Sequence, residues 1–185
     1  MNDSADGLDR ITWLPNRALF EGRLSRAVAL ALAQPCRSWL ALLYIDLDRF
    51  QDVNELFGHE RGDRVLREAA VRISRACPNG ATLARLGGDD FAALVKGVDL
   101  DKAAKLARGL LRCCSEPYII ECVSVVVTAS IGIGLFPLHA KDGEGLMRSA
   151  ERALYRAKLS GRNCMYPPQP TCFAGTVRLP RTDPG

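Results

Sequence analysis

The chain has 185 residues, 48% of them apolar and 25% charged, with a formal net charge of +4. That is enough for one domain with a sizeable core, and the balance is that of a globular chain, not a disordered or fibrous one. The charge includes no concentrated Lys/Arg block, so no nucleic-acid partner is expected, and no apolar run reaches the ~18–20 residues of a membrane span.

Residues 1–8 form a polar, acidic leader unlike a signal peptide, and a cytoplasmic location is the expectation. The seven cysteines (Cys36, Cys77, Cys113, Cys114, Cys122, Cys164 and Cys172) are odd in number and include no C-x-x-C pair. Free thiols in a reducing compartment are expected, not zinc ligands or disulfides.

Pro15 suits the first turn of a helix, because it lacks only an N–H that is unpaired there anyway. Leu19, Phe20, Leu24, Ala27, Val28 and Ala31 carry the helical period to about residue 33, and Pro35 stops it. Residues 40–47 are apolar up to Asp46 and read as a central strand covered on both faces. A second amphipathic helix spans 61–76, with Val65, Leu66, Ala69, Ala70 and Ile73 inward. Two apolar runs, 81–86 and 91–95, flank Gly87-Gly88 and predict a hairpin, since glycine takes positive φ at no steric cost. Asp99 caps a third helix to about residue 114. Residues 121–135 are β-rich, with Gly132 and Gly134 punctuating the end. A fourth helix covers 143–160, and 163–166 add a last strand. Residues 9–166 thus form one α+β domain, a mainly antiparallel sheet flanked by helices. A Pro-rich, patternless tail, 167–185, reads as a linker.

Carboxylates cluster at two strand ends. Strand periodicity puts Asp46 and Asp48 on one face, and the hairpin tip carries Asp89 and Asp90. Such a cluster needs a cation, and oxygen ligands of this charge suit Mg²⁺ carrying phosphates. The alternative is a solvated acidic hairpin tip.

Around this constellation the chain resembles the GGDEF domain, the diguanylate cyclase family of bacteria. Leu8-Asp9-Arg10-Ile11-Thr12-Trp13-Leu14-Pro15-Asn16-Arg17 is similar to the family's opening motif. Ile45 to Phe50 resembles its first metal motif, Asn54 to Asp63 its guanine-binding segment, and Gly87 to Phe91 its signature. Ala153 to Lys158 with Gly161-Arg162-Asn163 matches its closing motif. The resemblance implies a nucleotidyl-cyclase, polymerase-palm-like sheet. It also implies condensation of two GTP into cyclic di-GMP, with release of pyrophosphate, across two facing domains. Asp46, the Leu47 carbonyl and Asp89 would hold Mg²⁺ or Mn²⁺, and Asp90 would help deprotonate the 3′ hydroxyl. Asn54, His59 and Asp63 would contact substrate, and Lys158 and Arg162 its phosphates. Each has a plainer alternative: Asp63 as the N-cap of a helix over 64–76, His59 as a loop histidine, Lys158 and Arg162 as cations complementing a helix C-terminus.

Three positions depart from the family pattern. Asp90 stands for Glu, one methylene shorter, and a displacement of ~1 Å can cost on the order of 10²-fold in rate. Gln51 stands for a lysine whose loss, by analogy with an oxyanion-hole donor, costs roughly 3–4 kcal/mol. Trp13 stands for glycine. The family's R-x-x-D product-inhibition site is replaced by Pro78-Asn79-Gly80-Ala81, so no feedback binding of cyclic di-GMP is expected there. An active cyclase, working as a homodimer, is the leading expectation. A GTP-binding module that regulates a neighbouring EAL phosphodiesterase domain is the second, and a purely structural dimerisation domain the third.

Overall fold

A computed structural model describes residues 7–33 and 39–167. Its elements run α1 (Arg17–Ala33), β1 (Leu40–Leu47), α2 (Phe50–Phe57), α3 (His59–Ala76), β2 (Thr82–Gly87), β3 (Asp90–Lys96), α4 (Leu100–Ser115), β4 (Tyr118–Ile120), β5 (Val123–Val125), β6 (Ala129–Phe136), α5 (Gly143–Leu159) and β7 (Met165–Tyr166). Five strands form one sheet in the order β2-β3-β1-β6-β7, and β4-β5 form a separate hairpin. β1 lies between β3 and β6, antiparallel to both, and only β7 joins in parallel. The architecture is the α+β sandwich that the alternation of elements predicts.

β1 is buried along its whole length because helices cover both faces. Ala41, Leu43, Ile45 and Leu47 join the core beneath α2, α3 and α4. Leu40, Leu42 and Tyr44 point the other way, toward α1 and α5. Asp46 continues this second row, and antiparallel pairing sets it opposite Asp90 on one side and Ser130 on the other. The sheet therefore delivers its carboxylates to the end of the face that α1 and α5 cover.

Gly132 and Gly134 are interior to β6, not at its end. A Cβ at 132 would lie 2.1 Å from the Ala150 carbonyl oxygen and 2.2 Å from the Leu154 nitrogen. The missing side chain lets α5 sit directly on the sheet, which brings Lys158 over the end of β1. Three other expectations are corrected. The segment after β1 holds a helix of its own, α2, whose signal was Phe50, Val53 and Phe57 at helical spacing. α3 then begins at His59, because Gly58 (φ 84°) turns the chain in one residue; Asp63 is therefore interior to α3 and is not its N-cap. The β-rich stretch 121–135 opens in a turn at Glu121 (φ 58°), which joins β4 to β5, and is interrupted at 126–128, between β5 and β6. Pro35, residues 1–6 of the leader and 168–185 of the tail lie outside the described residues.

Cys77, Cys113, Cys114, Cys122 and Cys164 are free, with Cys114 in the core and Cys122 exposed. Among the described residues no helix is long and apolar enough to cross a membrane.

Candidate active site at the end of the central strand

The β2–β3 connection is tighter than the glycine pair alone suggested. Gly87 pairs with Asp90, leaving Gly88 (φ 51°) and Asp89 as the turn, with a bulge between Arg85 and Gly87. Two contacts fix this turn. The Leu47 N–H donates to the Asp89 carbonyl at 3.3 Å, docking it on the end of β1. Arg85, 8% exposed, donates to the Gly88 carbonyl at 2.6 and 2.9 Å and to the Asp9 carboxylate at 2.9 and 3.1 Å. Asp9 also accepts from the Thr12 N–H and hydroxyl. Burial alone would raise the Asp9 pKa; the Thr12 and Arg85 hydrogen bonds outweigh it and hold the carboxyl below its usual range. The opening loop thus braces the signature turn, a link that spacing 76 residues apart could not reveal.

Asp46 is 6% exposed and accepts from the Lys158 ammonium at 2.5 Å. Its pKa is nevertheless pushed up to about 6: burial disfavours the charge, and Asp89 and Asp90 add repulsion that Lys158 only partly offsets. Asp90 is raised by the same causes, burial first and then Asp89. From the sheet side the Tyr44 hydroxyl donates to Asp90 at 3.3 Å, and Arg17 donates to the Tyr44 oxygen at 3.4 Å and to the Leu86 carbonyl at 3.2 Å. Tyr44 and Arg17, absent from the sequence-based site, enter through the fold alone. Perturbed, partly buried carboxylates gathered at one strand end make this cluster the candidate site.

Asp48 lies just past the end of β1, not on its face beside Asp46, and is spent differently. It accepts from the Thr128 hydroxyl at 2.7 Å, the Ser130 hydroxyl at 2.6 Å and the Asn163 N–H at 2.9 Å. It ties β1, β6 and the loop after α5 together. In that loop Gly161, Arg162 and Asn163 all have positive φ, and the Arg162 N–H closes α5 on the Ala157 carbonyl. Lys158 and Arg162 are consequently separated: Lys158 meets Asp46, whereas Arg162 lines a cleft of about 380 Å³ with Arg49, Asp52 and Asn163.

Asn54 and Asp63 lie on α2 and α3, both half-buried, with exposed His59 opening α3. α2 and α3 close on each other at Gly62, where a Cβ would stand 1.9 Å from the Asn54 Oδ1. Glycine at 62 is therefore what lets the Asn54 amide lie against α3. Gln51 is turned along α2, donating to Glu55 at 2.7 Å.

Among the described residues no group of three or more His, Cys, Asp or Glu side chains is suited to hold a metal ion. The set drawn from sequence is two carboxylates and a backbone carbonyl, at Asp46, Asp89 and Leu47. Such hard, anionic oxygens fit Mg²⁺ or Mn²⁺, and the upward shift at Asp46, set first by burial and then by repulsion from Asp89 and Asp90, is of the kind a bound cation would offset.

A profile described as "Diguanylate cyclase, GGDEF domain" matches residues 7–164. The chain is 42% identical over 155 residues to the bifunctional diguanylate cyclase/cyclic di-GMP phosphodiesterase MucR of Pseudomonas aeruginosa, covering 84% of this chain and 22% of MucR. It is 42% identical over 159 residues to the diguanylate cyclase TpbB of the same species, covering 83% of this chain and 35% of TpbB. The chain thus spans about a fifth to a third of these relatives. The crystallised GGDEF domain of TpbB superposes with a TM-score of 0.83 at 38% identity, covering 88% of this chain and 94% of that one. The GGDEF domain of DgcB from Caulobacter crescentus, solved with c-di-GMP, gives a TM-score of 0.80 at 27% identity, covering 90% and 97%.

Proposed function

This chain belongs to the GGDEF family, and from that premise we propose that it is a Mg²⁺-dependent diguanylate cyclase. It joins two GTP molecules into cyclic di-GMP across two facing copies of the domain. The observation that carries the reading is the pairing of Asp46 with Asp90 across adjacent strands, with Asp89 in the β2–β3 turn docked on the end of β1. Each copy supplies one half-site. The 3′ hydroxyl of one nucleotide attacks the α-phosphorus of the other, and pyrophosphate leaves.

Asp46, Asp89 and the Leu47 carbonyl would hold the ion, which when bound supplies charge neutralisation for the triphosphate. Asp90 accepts the proton of the 3′ hydroxyl, its carboxylate steadied by Tyr44. Asn54 and Asp63 hydrogen-bond the guanine edge, the carboxylate accepting from the ring N1–H and the exocyclic amino group, and His59 closes the same end. Lys158 serves both partners in turn, Asp46 before substrate binds and phosphate oxygens afterwards. Arg162, with Arg49 beside it, adds positive charge from the neighbouring cleft.

A second reading is a domain that binds GTP without turnover and regulates an attached phosphodiesterase domain. The Gln51–Glu55 hydrogen bond favours it, since a neutral amide held on the surface of α2 lends phosphate no charge. Incubation of the concentrated domain with GTP and Mg²⁺, analysed by chromatography, separates the two. Cyclic di-GMP that vanishes in Asp89→Ala supports the cyclase. Tight GTP binding with no product, even when two copies are fused to a dimeric scaffold, supports the regulatory reading.

A further inference from the structure

Trp13 is the one aromatic residue of the described chain with positive φ, at 60°, and it is 74% exposed. The left-handed region is costly for a bulky side chain. A ring so exposed gains little from burial in return, so neither backbone nor core explains a tryptophan there. Strain of this kind persists where the surroundings enforce it, and it points to a functional demand.

The loop that holds it is rigid and well placed. The Trp13 N–H donates to the Asp9 carbonyl at 2.9 Å, and the Pro15 carbonyl accepts from the Arg85 N–H at 3.0 Å. Through Asp9 and Arg85 the loop is joined to the Gly88 carbonyl of the signature turn. Its apolar residues Ile11 and Leu14 pack against the core cluster to which Phe50 and Val53 of α2 and Val65 and Leu66 of α3 belong. The loop therefore spans from the turn that carries Asp89 to the core beneath the helices that carry Asn54 and Asp63, and the indole projects from it into solvent.

We infer that Trp13 is a stacking platform for the purine base of the nucleotide bound at this site. The inference rests on the nucleotide-binding reading above and adds a specificity-determining residue to it. An indole face on a base is worth roughly 5- to 100-fold in affinity. The strained backbone is the cost of presenting that face.

The chain has two tryptophans, so Trp39→Phe leaves Trp13 as the only indole. In that background GDP with Mg²⁺ quenches the emission saturably, whereas inorganic pyrophosphate, which has no base, does not. Trp13→Gly raises the Kd for GDP roughly 5- to 100-fold by calorimetry. It also raises Tm by about 1–3 °C, as relief of strain outweighs the added entropy of the unfolded chain. Trp13→Phe retains most of the affinity. GDP binding unchanged in Trp13→Gly, or a fall in its Tm, overturns the platform and leaves the nucleotide reading standing. A parent chain that binds no GDP overturns the nucleotide reading, and the platform with it.

Discussion

Asp46 and Asp48 lie two residues apart, one in β1 and the other just past its end, and are equally buried, at 6% exposure. Their surroundings set them apart. Asp48 is ringed by neutral donors, the hydroxyls of Thr128 and Ser130 and the N–H of Asn163, so its charge is solvated by the protein. Asp46 faces Asp89 and Asp90 with Lys158 as its hydrogen-bonding cation, and burial with that repulsion lifts its pKa to about 6. Burial alone does not make a carboxylate functional. What distinguishes the two is whether the fold surrounds the charge with donors or sets like charges against it.

Substitution by the neutral isostere breaks the comparison most directly. Asp46→Asn is expected to abolish cyclic di-GMP formation, by roughly 10²–10³-fold or more, while Tm shifts by no more than ~2 °C because repulsion is relieved. Asp48→Asn presents an amide to three donors and should cost ~2–3 kcal/mol, a fall in Tm of roughly 4–10 °C. Equal thermal effects at the two positions would show the distinction to be wrong. Asp9→Ala tests the brace behind the turn: it strands the buried Arg85 guanidinium and should cost about 3 kcal/mol by denaturant unfolding. Because the folded-state pKa of Asp9 is depressed, its contribution is complete above the ordinary carboxylate value of 3.8 and is lost as the pH falls through the folded-state value. The Asp9→Ala penalty measured at neutral pH should therefore vanish in strong acid.

Gly62→Ala is a control away from both carboxylates. The new methyl displaces the Asn54 amide, so GTP affinity should drop about 10-fold by calorimetry while the helix itself is stabilised by up to ~1 kcal/mol. The smallest effect is expected from Gln51→Lys, which adds a cation at the start of α2. Competition from Glu55, four residues on, limits the gain in product formation to about 10-fold. No gain would mean that positive charge near β1 is already sufficient.

The sequence by itself determined most of the element types, though not α2 or the β4–β5 hairpin, together with the buried central strand and the family, because hydrophobic period, glycine placement and ordered motifs are local properties of a chain. It also placed Asp46, Asp89 and Asp90 at strand ends that could meet. Only the tertiary structure decided which carboxylate is ringed by donors and which faces like charge. Asp48 is satisfied by residues about 80 and 115 positions away, and Lys158 reaches Asp46 because glycines in β6 let α5 settle on the sheet. The same holds for the Asp9–Arg85–Gly88 brace and the Arg17–Tyr44–Asp90 chain. Hydrogen bonds and Coulomb interactions act through space, whereas spacing along the chain carries only the repeat of a helix or a strand.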